Sequence, residues 1–294
     1  MLPSFIITFR EVLEAALVVG IILSYLVRVK QTKYNTIVYA GIFSGIVASI
    51  IGAVLFTTLA GGFTGRAEEI FEGITMLVGA ALLTTMILWM MKQKHIAREL
   101  ENRVATELTE AHKFGLFSLV FVAILREGIE TVIFLRAATL VSTGNTMLGA
   151  LAGVLAAILL GYAIFLGSMR INLKRFFNIT SILLILFAAG LVAHGVHELQ
   201  EAKVIPTVIE HIWNVNPPAN LDGSYPILHE KGHVGSILKS LFGYNGNPSL
   251  IEVLSYLLYI TLVVGLWRNI EKNKKAEQVL MKGNMGFMTQ QSIT

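Results

Sequence analysis

Seven stretches of this chain are mostly apolar for the roughly 18 to 25 residues that carry a helix across a bilayer. They lie at about residues 4–27, 36–60, 69–91, 114–140, 146–169, 176–199 and 250–267. No other feature constrains the fold as strongly. The composition agrees: 54% of the 294 residues are hydrophobic and 14% are charged, against about a quarter charged in soluble domains. The expected fold class is an all-α integral membrane protein with seven transmembrane helices.

Charge sets the expected orientation. The connections after the first, third and fifth spans carry Arg28, Lys30 and Lys33, then Lys92, Lys94, Arg98, Arg103 and Lys113, then Arg170, Lys174 and Arg175. The tail adds Arg268, Lys272, Lys274, Lys275 and Lys282. The positive-inside rule then places the N-terminus outside and the C-terminus in the cytoplasm. "MLPSFIITFREVLEAALVVG" lacks a basic leader and a small-residue cleavage site, so it reads as a retained first helix. The expected organisation is one transmembrane domain over residues 1–267 and a cytoplasmic tail over 268–294. The basic and acidic residues near 92–113 predict a helical cytoplasmic extension. The connection near 200–249 predicts an exposed outer loop. The dispersed basic residues give no sign of a nucleic-acid partner. With no cysteine in the chain, disulfides, thiolate metal sites and Fe–S clusters are excluded.

The chain repeats itself. "FREVLEAALVVG" in the first span matches "LREGIETVIFLR" in the fourth, and "GIFSGIVASIIG" in the second matches "GALAGVLAAILLG" in the fifth. Repeat one covers about 4–91 and repeat two about 114–199. Because each unit holds an odd number of spans, the second is inverted relative to the first. The result is a 3+3 inverted repeat plus one extra helix, a plan that puts the substrate site between the repeats near the midplane. The glycines at i and i+4 read as helix-packing positions.

Both copies of the repeat place Arg-Glu-x-x-Glu inside an apolar span: Arg10, Glu11 and Glu14, then Arg126, Glu127 and Glu130. On a helix the two glutamates share a face, and the arginine is four residues before the second. Each charge at mid-bilayer costs on the order of 2.5–3.5 kcal/mol on insertion scales. A polar contact between membrane helices returns about 0.6 kcal/mol, so salt-bridge glue is a poor explanation. Four carboxylates against two guanidiniums leave surplus negative charge, which a cation would neutralise. Hard oxygen ligands suit Mg, Ca, Mn and oxidised iron better than copper or zinc. Arg10 and Arg126 balance charge while the site is empty and limit how tightly the cation is held. A second group lies at the outer face: Glu68, Glu69 and Glu72 open the third span, and His194, His197, Glu198 and Glu201 close the sixth. Of these, Glu72, His197 and Glu198 are expected to collect metal, and the others to line the same vestibule. His211, His229 and His233 read as solvated loop residues. Arg136 either reaches the interface or pairs with a vestibule carboxylate.

The chain resembles the iron permeases of the oxidase-dependent iron transporter family of fungi and bacteria. The resemblance rests on Arg-Glu-x-x-Glu in the first and fourth helices and spans about residues 4–267. "REGIE" fits the family form Arg-Glu-Gly-x-Glu in full, while Val12 stands where glycine is common in the first copy. "FEG" around Glu72 and "HELQEA" from His197 are also similar to family features. The resemblance implies uptake of iron, as Fe3+ after external oxidation, across the cytoplasmic membrane by a transporter rather than an enzyme. It implies iron as substrate with no tightly bound cofactor. The implied partner is an extracytoplasmic oxidase or iron-binding protein. Lead or manganese permeases remain open as alternatives, as do an intramembrane di-iron oxidoreductase and a metal sensor. No Walker motif is present, which argues against direct use of ATP.

Overall fold

The computed structural model describes residues 1–92, 96–109, 113–141, 145–165, 173–218 and 225–291. Lys94 and Arg170 lie outside these residues, as do the side chains of Lys92, Arg98, Lys174, Arg175, His233 and the tail beyond Asn273. The described residues form α1 (Leu2–Arg28), α2 (Asn35–Ala60), α3 (Arg66–Lys92), α4 (Ile96–Thr109), α5 (Lys113–Val141), α6 (Thr146–Phe165), α7 (Leu173–Glu201), α8 (His233–Phe242) and α9 (Leu250–Gln291), with no strand among them. Five segments are long and apolar enough to cross a membrane: Thr32–Ala60, Arg66–Met91, Thr146–Ile164, Phe177–Glu201 and Leu250–Asn273. Helices α1 and α5, with 27 and 29 residues, are also long enough. They differ in carrying the charged motifs. Many large apolar side chains on α2, α6 and α9 face outward, among them Phe43, Ile50, Leu155, Leu159 and Leu258, as lipid contact requires.

The helices pair in a crossed pattern. α1 packs on α6, α2 on α5, and α3 on α7, while α1 and α5 also meet. Glycines make the first two pairings. A Cβ on Gly41 would lie 3.0 Å from Val120 Cβ, and one on Gly45 would lie 2.8 Å from Ile124 Cβ. A Cβ on Gly149 would lie 2.5 Å from Ser4 Oγ, and one on Gly153 would lie 2.1 Å from Thr8 Oγ1. Ser4 and Thr8 hold the same places before Arg10 that Val120 and Ile124 hold before Arg126. Thr8 adds a hydrogen bond to the Ala150 carbonyl at 3.0 Å. Gly73 and Gly195 bring α3 and α7 together in the same way, each facing the other's carbonyl oxygen at about 3 Å from an ideal Cβ.

Two apolar cores result. Ile7, Met76, Leu83, Phe134, Ala137, Leu184, Leu191 and neighbours fill one, between α1, α3, α5, α7 and α9. Ile22, Leu26, Val38, Val104, Leu116, Val120 and Ile124 fill the other, toward the far end of α1. Val104 belongs to α4, the extension expected near 92–113, and Arg28 at the end of α1 pairs with Glu101 on α4 at 2.7 Å.

The connection after α7 is exposed over 206–215 but is not loop throughout. It contains the ten-residue α8, which runs back along α7. α8 ends at Gly243 in the left-handed conformation (φ 68°), whose N–H and that of Tyr244 close the helix on the Lys239 and Leu238 carbonyls. A Cβ on Gly190 would stand 2.7 Å from the Gly243 Cα. Gly190 is about three turns from the end of α7 at Glu201, so α8 descends well below that end. α9 begins with a reciprocal cap. The Ser249 N–H donates to Glu252 Oε1 at 3.1 Å, and the Glu252 N–H donates to Ser249 Oγ at 3.3 Å. α9 then continues unbroken for 42 residues, through the expected boundary between the last span and the tail.

Candidate metal site

Both Arg-Glu-x-x-Glu segments sit in mid-helix, and the contact of α1 with α5 turns them toward each other. Glu11, Glu14 and Glu127 each bring a carboxylate oxygen to within 4.8 Å of the other two. Among the described residues this is the one group of three or more acidic, histidine or cysteine side chains so close. Glu11 and Glu127 are buried. Glu130, expected as a fourth ligand, is not in the trio. It lies 3.6 Å from Arg126 Nε.

The arginines are arranged unequally. Arg10 is fully buried, with Nε 3.0 Å from Glu14 Oε1 and Nη2 donating to Met90 Sδ at 2.9 Å. The Arg126 side chain is 50% exposed. Its Nε donates to Glu127 Oε1 at 3.1 Å, and its Nη2 contacts the same oxygen. Its guanidinium lies over the Trp89 ring, 5.5 Å from the centroid.

These pairings leave carboxylate oxygens over. Both oxygens of Glu11, Oε2 of Glu127 and Oε2 of Glu130 are buried with no hydrogen-bond partner among the described residues. A buried polar group left unpaired costs about 1–3 kcal/mol, and more when charged. A cation among the trio would remove that penalty and the mutual repulsion together. The donor set is oxygen only, which favours a hard cation.

The outer group is differently built. Arg136 Nη2 pairs with Glu72 Oε1 at 3.6 Å, which decides between the two readings of Arg136. His197 donates from Nδ1 to Glu252 Oε1 at 3.0 Å, and its Nε2 faces Glu201 at 3.4 Å. His194 donates from Nδ1 to the Gly190 carbonyl at 2.9 Å, and its Nε2 is buried without a hydrogen-bond partner. Glu198 is half-buried, with Glu201, Glu72, His197 and Glu69 as charged neighbours. Glu68 is exposed. The crossing of α3 and α7 at Gly73 and Gly195 therefore collects these residues at one end, without drawing three ligand atoms as tightly as in the core.

Three residues near these sites escape a reading of charges in spans. Glu252 is buried and accepts from His197, from the Ser249 N–H and from Asn245 Nδ2 at 2.8 Å. Its signal was the capping pattern Ser-x-x-Glu ahead of an apolar run. Trp89 and Met90, at the end of α3, touch the two motif arginines. From sequence, Trp89 at the end of an apolar span reads only as an interfacial anchor.

Comparison with known proteins follows the same line. The chain matches the model of the "Iron permease FTR1 family" over residues 1–271. An uncharacterized protein of Archaeoglobus fulgidus is 35% identical over 266 residues, covering 90% of this chain and 94% of its own. The ferrous iron permease EfeU of Yersinia pestis is 34% identical over 264 residues, covering 88% and 90%. That of Escherichia coli O6:H1 is 32% identical over 264 residues, covering 88% and 92%. No solved structure matches the chain. With the two charged motifs meeting in the core and the match running nearly end to end, the chain belongs to the iron permease FTR1 family, a family of membrane transporters rather than enzymes.

Proposed function

We propose that the chain carries iron across the cytoplasmic membrane through the carboxylates of Glu11, Glu14 and Glu127, with Glu130 joining as the ion passes. The observation that carries this reading is the trio itself, with oxygens within 4.8 Å and several of them orphaned. Iron as substrate follows from the family. The oxygen donors favour Fe3+ over softer ions. The relatives' name of ferrous iron permease keeps Fe2+ as the second reading of the redox form.

The path runs through seven spans, the N-terminus outside and the C-terminus in the cytoplasm, built as an inverted 3+3 repeat over about 4–91 and 114–199 with the seventh helix added. The crossed pairing of α1 with α6 and α5 with α2, on matching glycine registers, supports that plan. Iron arrives after external oxidation, by way of an extracytoplasmic oxidase or iron-binding partner. It first meets Glu72, His197 and Glu198. Arg136 holds Glu72 until the ion displaces it. Ile7, one turn before Glu11, and Phe134, one turn after Glu130, are fully buried in the apolar cluster that also holds Met76, one turn after Glu72. Arg10 and Arg126 hold the empty carboxylates together and then compete with the ion, which keeps binding weak enough for release.

The test is uptake of radioactive iron by proteoliposomes that contain the purified chain, offered as Fe3+ chelate and as Fe2+ under reductant. Saturable uptake that Glu14→Gln and Glu127→Gln abolish is the expected result. Uptake unchanged in both variants would remove these residues from the path. Preference for Fe2+ would reverse the redox assignment and leave the site standing.

A further inference from the structure

Arg10 and Arg126 come from different helices, yet both end on consecutive residues of α3. The Arg10 guanidinium donates to Met90 Sδ at 2.9 Å, and the Arg126 guanidinium lies 5.5 Å from the Trp89 ring centroid. We propose that Trp89 is a positioning residue for transport: its ring, already under the Arg126 guanidinium, keeps hold of Arg126 when iron takes Glu127. This rests on the reading of Glu11, Glu14 and Glu127 as the iron site.

The argument starts from shared atoms. Glu127 Oε1 receives both Nε and Nη2 of Arg126, while Glu127 Oε2 has no partner. An ion bound by the trio needs Glu127, so it must weaken or displace this contact. A guanidinium moved off its carboxylate inside a membrane protein needs somewhere to go. Glu130 Oε1, 3.6 Å from Arg126 Nε, is one stop, but Glu130 is itself drawn to the ion. The Trp89 ring is the neutral alternative. An indole face attracts a guanidinium electrostatically and competes with no metal ligand.

Burial separates the two arginines. Arg10 has no exposed side-chain surface and is enclosed between Glu14 and Met90. A thioether is a weak acceptor that takes no share of the charge, so Met90 fixes the position of Arg10 without drawing it from Glu14. Arg126 is half exposed, and Trp89 is exposed beside it. It has the room that Arg10 lacks. Two motifs of the same sequence thus do different work: the first arginine is fixed and the second moves.

The test measures binding of iron to the purified full chain, as Fe3+–nitrilotriacetate and as Fe2+ with ascorbate, by equilibrium dialysis with radioactive iron. The contact exists before iron binds, so only its strengthening once Glu127 is taken counts: Trp89→Leu is expected to raise the half-saturating iron concentration by about 2- to 10-fold, roughly the gap between an exposed and a desolvated cation–π contact. Trp89→Phe, which keeps a weaker aromatic face and more of the volume, should fall between. Arg126→Gln should bind iron more tightly than the parent, because Glu127 is then unoccupied. In that background Trp89→Leu should change nothing. An equal shift in both backgrounds would mean that Trp89 only fills space, and it would overturn the proposal. So would an unchanged half-saturation in Trp89→Leu. Glu127→Gln is measured in parallel: if it binds iron like the parent, the ligand assignment fails, whatever Trp89 does.

Discussion

Gly153 and Gly52 lie at neighbouring points of the two glycine patterns, and the structure sets them apart. A Cβ on Gly153 would meet Thr8 Oγ1 at 2.1 Å, the Phe5 carbonyl oxygen at 2.5 Å and the Phe9 nitrogen at 2.9 Å. Two of these three are backbone atoms of α1 and cannot swing aside. Tolerable contacts begin near 3.4 Å, so Gly153→Ala must push α6 from α1 by about 1 Å. Overpacking of this kind costs roughly 1–3 kcal/mol, and the Thr8 bond to the Ala150 carbonyl is stretched as well. Helix propensity returns at most about 1 kcal/mol. α1 also carries Glu11 and Glu14, so the same movement shifts two of the three carboxylates. At Gly52 an added Cβ has nothing within 4 Å, and Gly52→Ala should be neutral or slightly stabilising. Thermal unfolding in detergent and iron uptake in proteoliposomes, run on both variants, decide the matter. The expected outcome is a lower unfolding temperature and impaired uptake for Gly153→Ala alone. If the two variants behave alike, α1 and α6 do not meet as described and the argument fails.

Glu11→Gln removes a buried carboxylate whose oxygens are both unpaired, and an amide can donate to Glu14. The ion-free chain should therefore unfold at higher temperature while iron uptake falls at least tenfold, stability and function moving in opposite directions. The absence of cysteine makes labelling clean: Lys203→Cys should react with a membrane-impermeant maleimide added outside, and Lys113→Cys only after permeabilisation. The reverse pattern would invert the topology. Glu252→Gln loosens the cap of α9 and the His197 contact together. We expect a loss of about 0.5–2 kcal/mol in stability, typical of a helix cap, and a rise in half-saturating iron. The second effect is read from uptake at subsaturating iron, where Ser249→Ala, which spares His197, should show the stability loss without it.

Several elements were legible because they depend on local pattern. The starts of the long helices came within about three residues of the expected ones, since an apolar run begins where charged and polar residues stop, whereas α9 ran on past its expected end. α4 followed from charges at helical spacing. α8 did not, because nothing in ten residues of mixed composition says that they will fold back along α7. The close approach of Gly190 to Gly243 depends on chain segments far apart in sequence. Arg136 was open between two partners until the position of Glu72 was known.

The same division holds at the site. The sequence alone determined that Arg10, Glu11, Glu14, Arg126, Glu127 and Glu130 lie on apolar helices, and that the two glutamates of each motif share a face. Periodicity and composition act along a single helix, so one helix suffices to read them. Which three carboxylates converge, why Arg10 is sealed while Arg126 is half open, and why Trp89 and Met90 receive them were decided by packing. Those outcomes depend on the distance and rotation between helices. Contacts such as Gly153 against Phe5 and Gly73 against Gly195 set these, and no single stretch of the chain contains both sides of them.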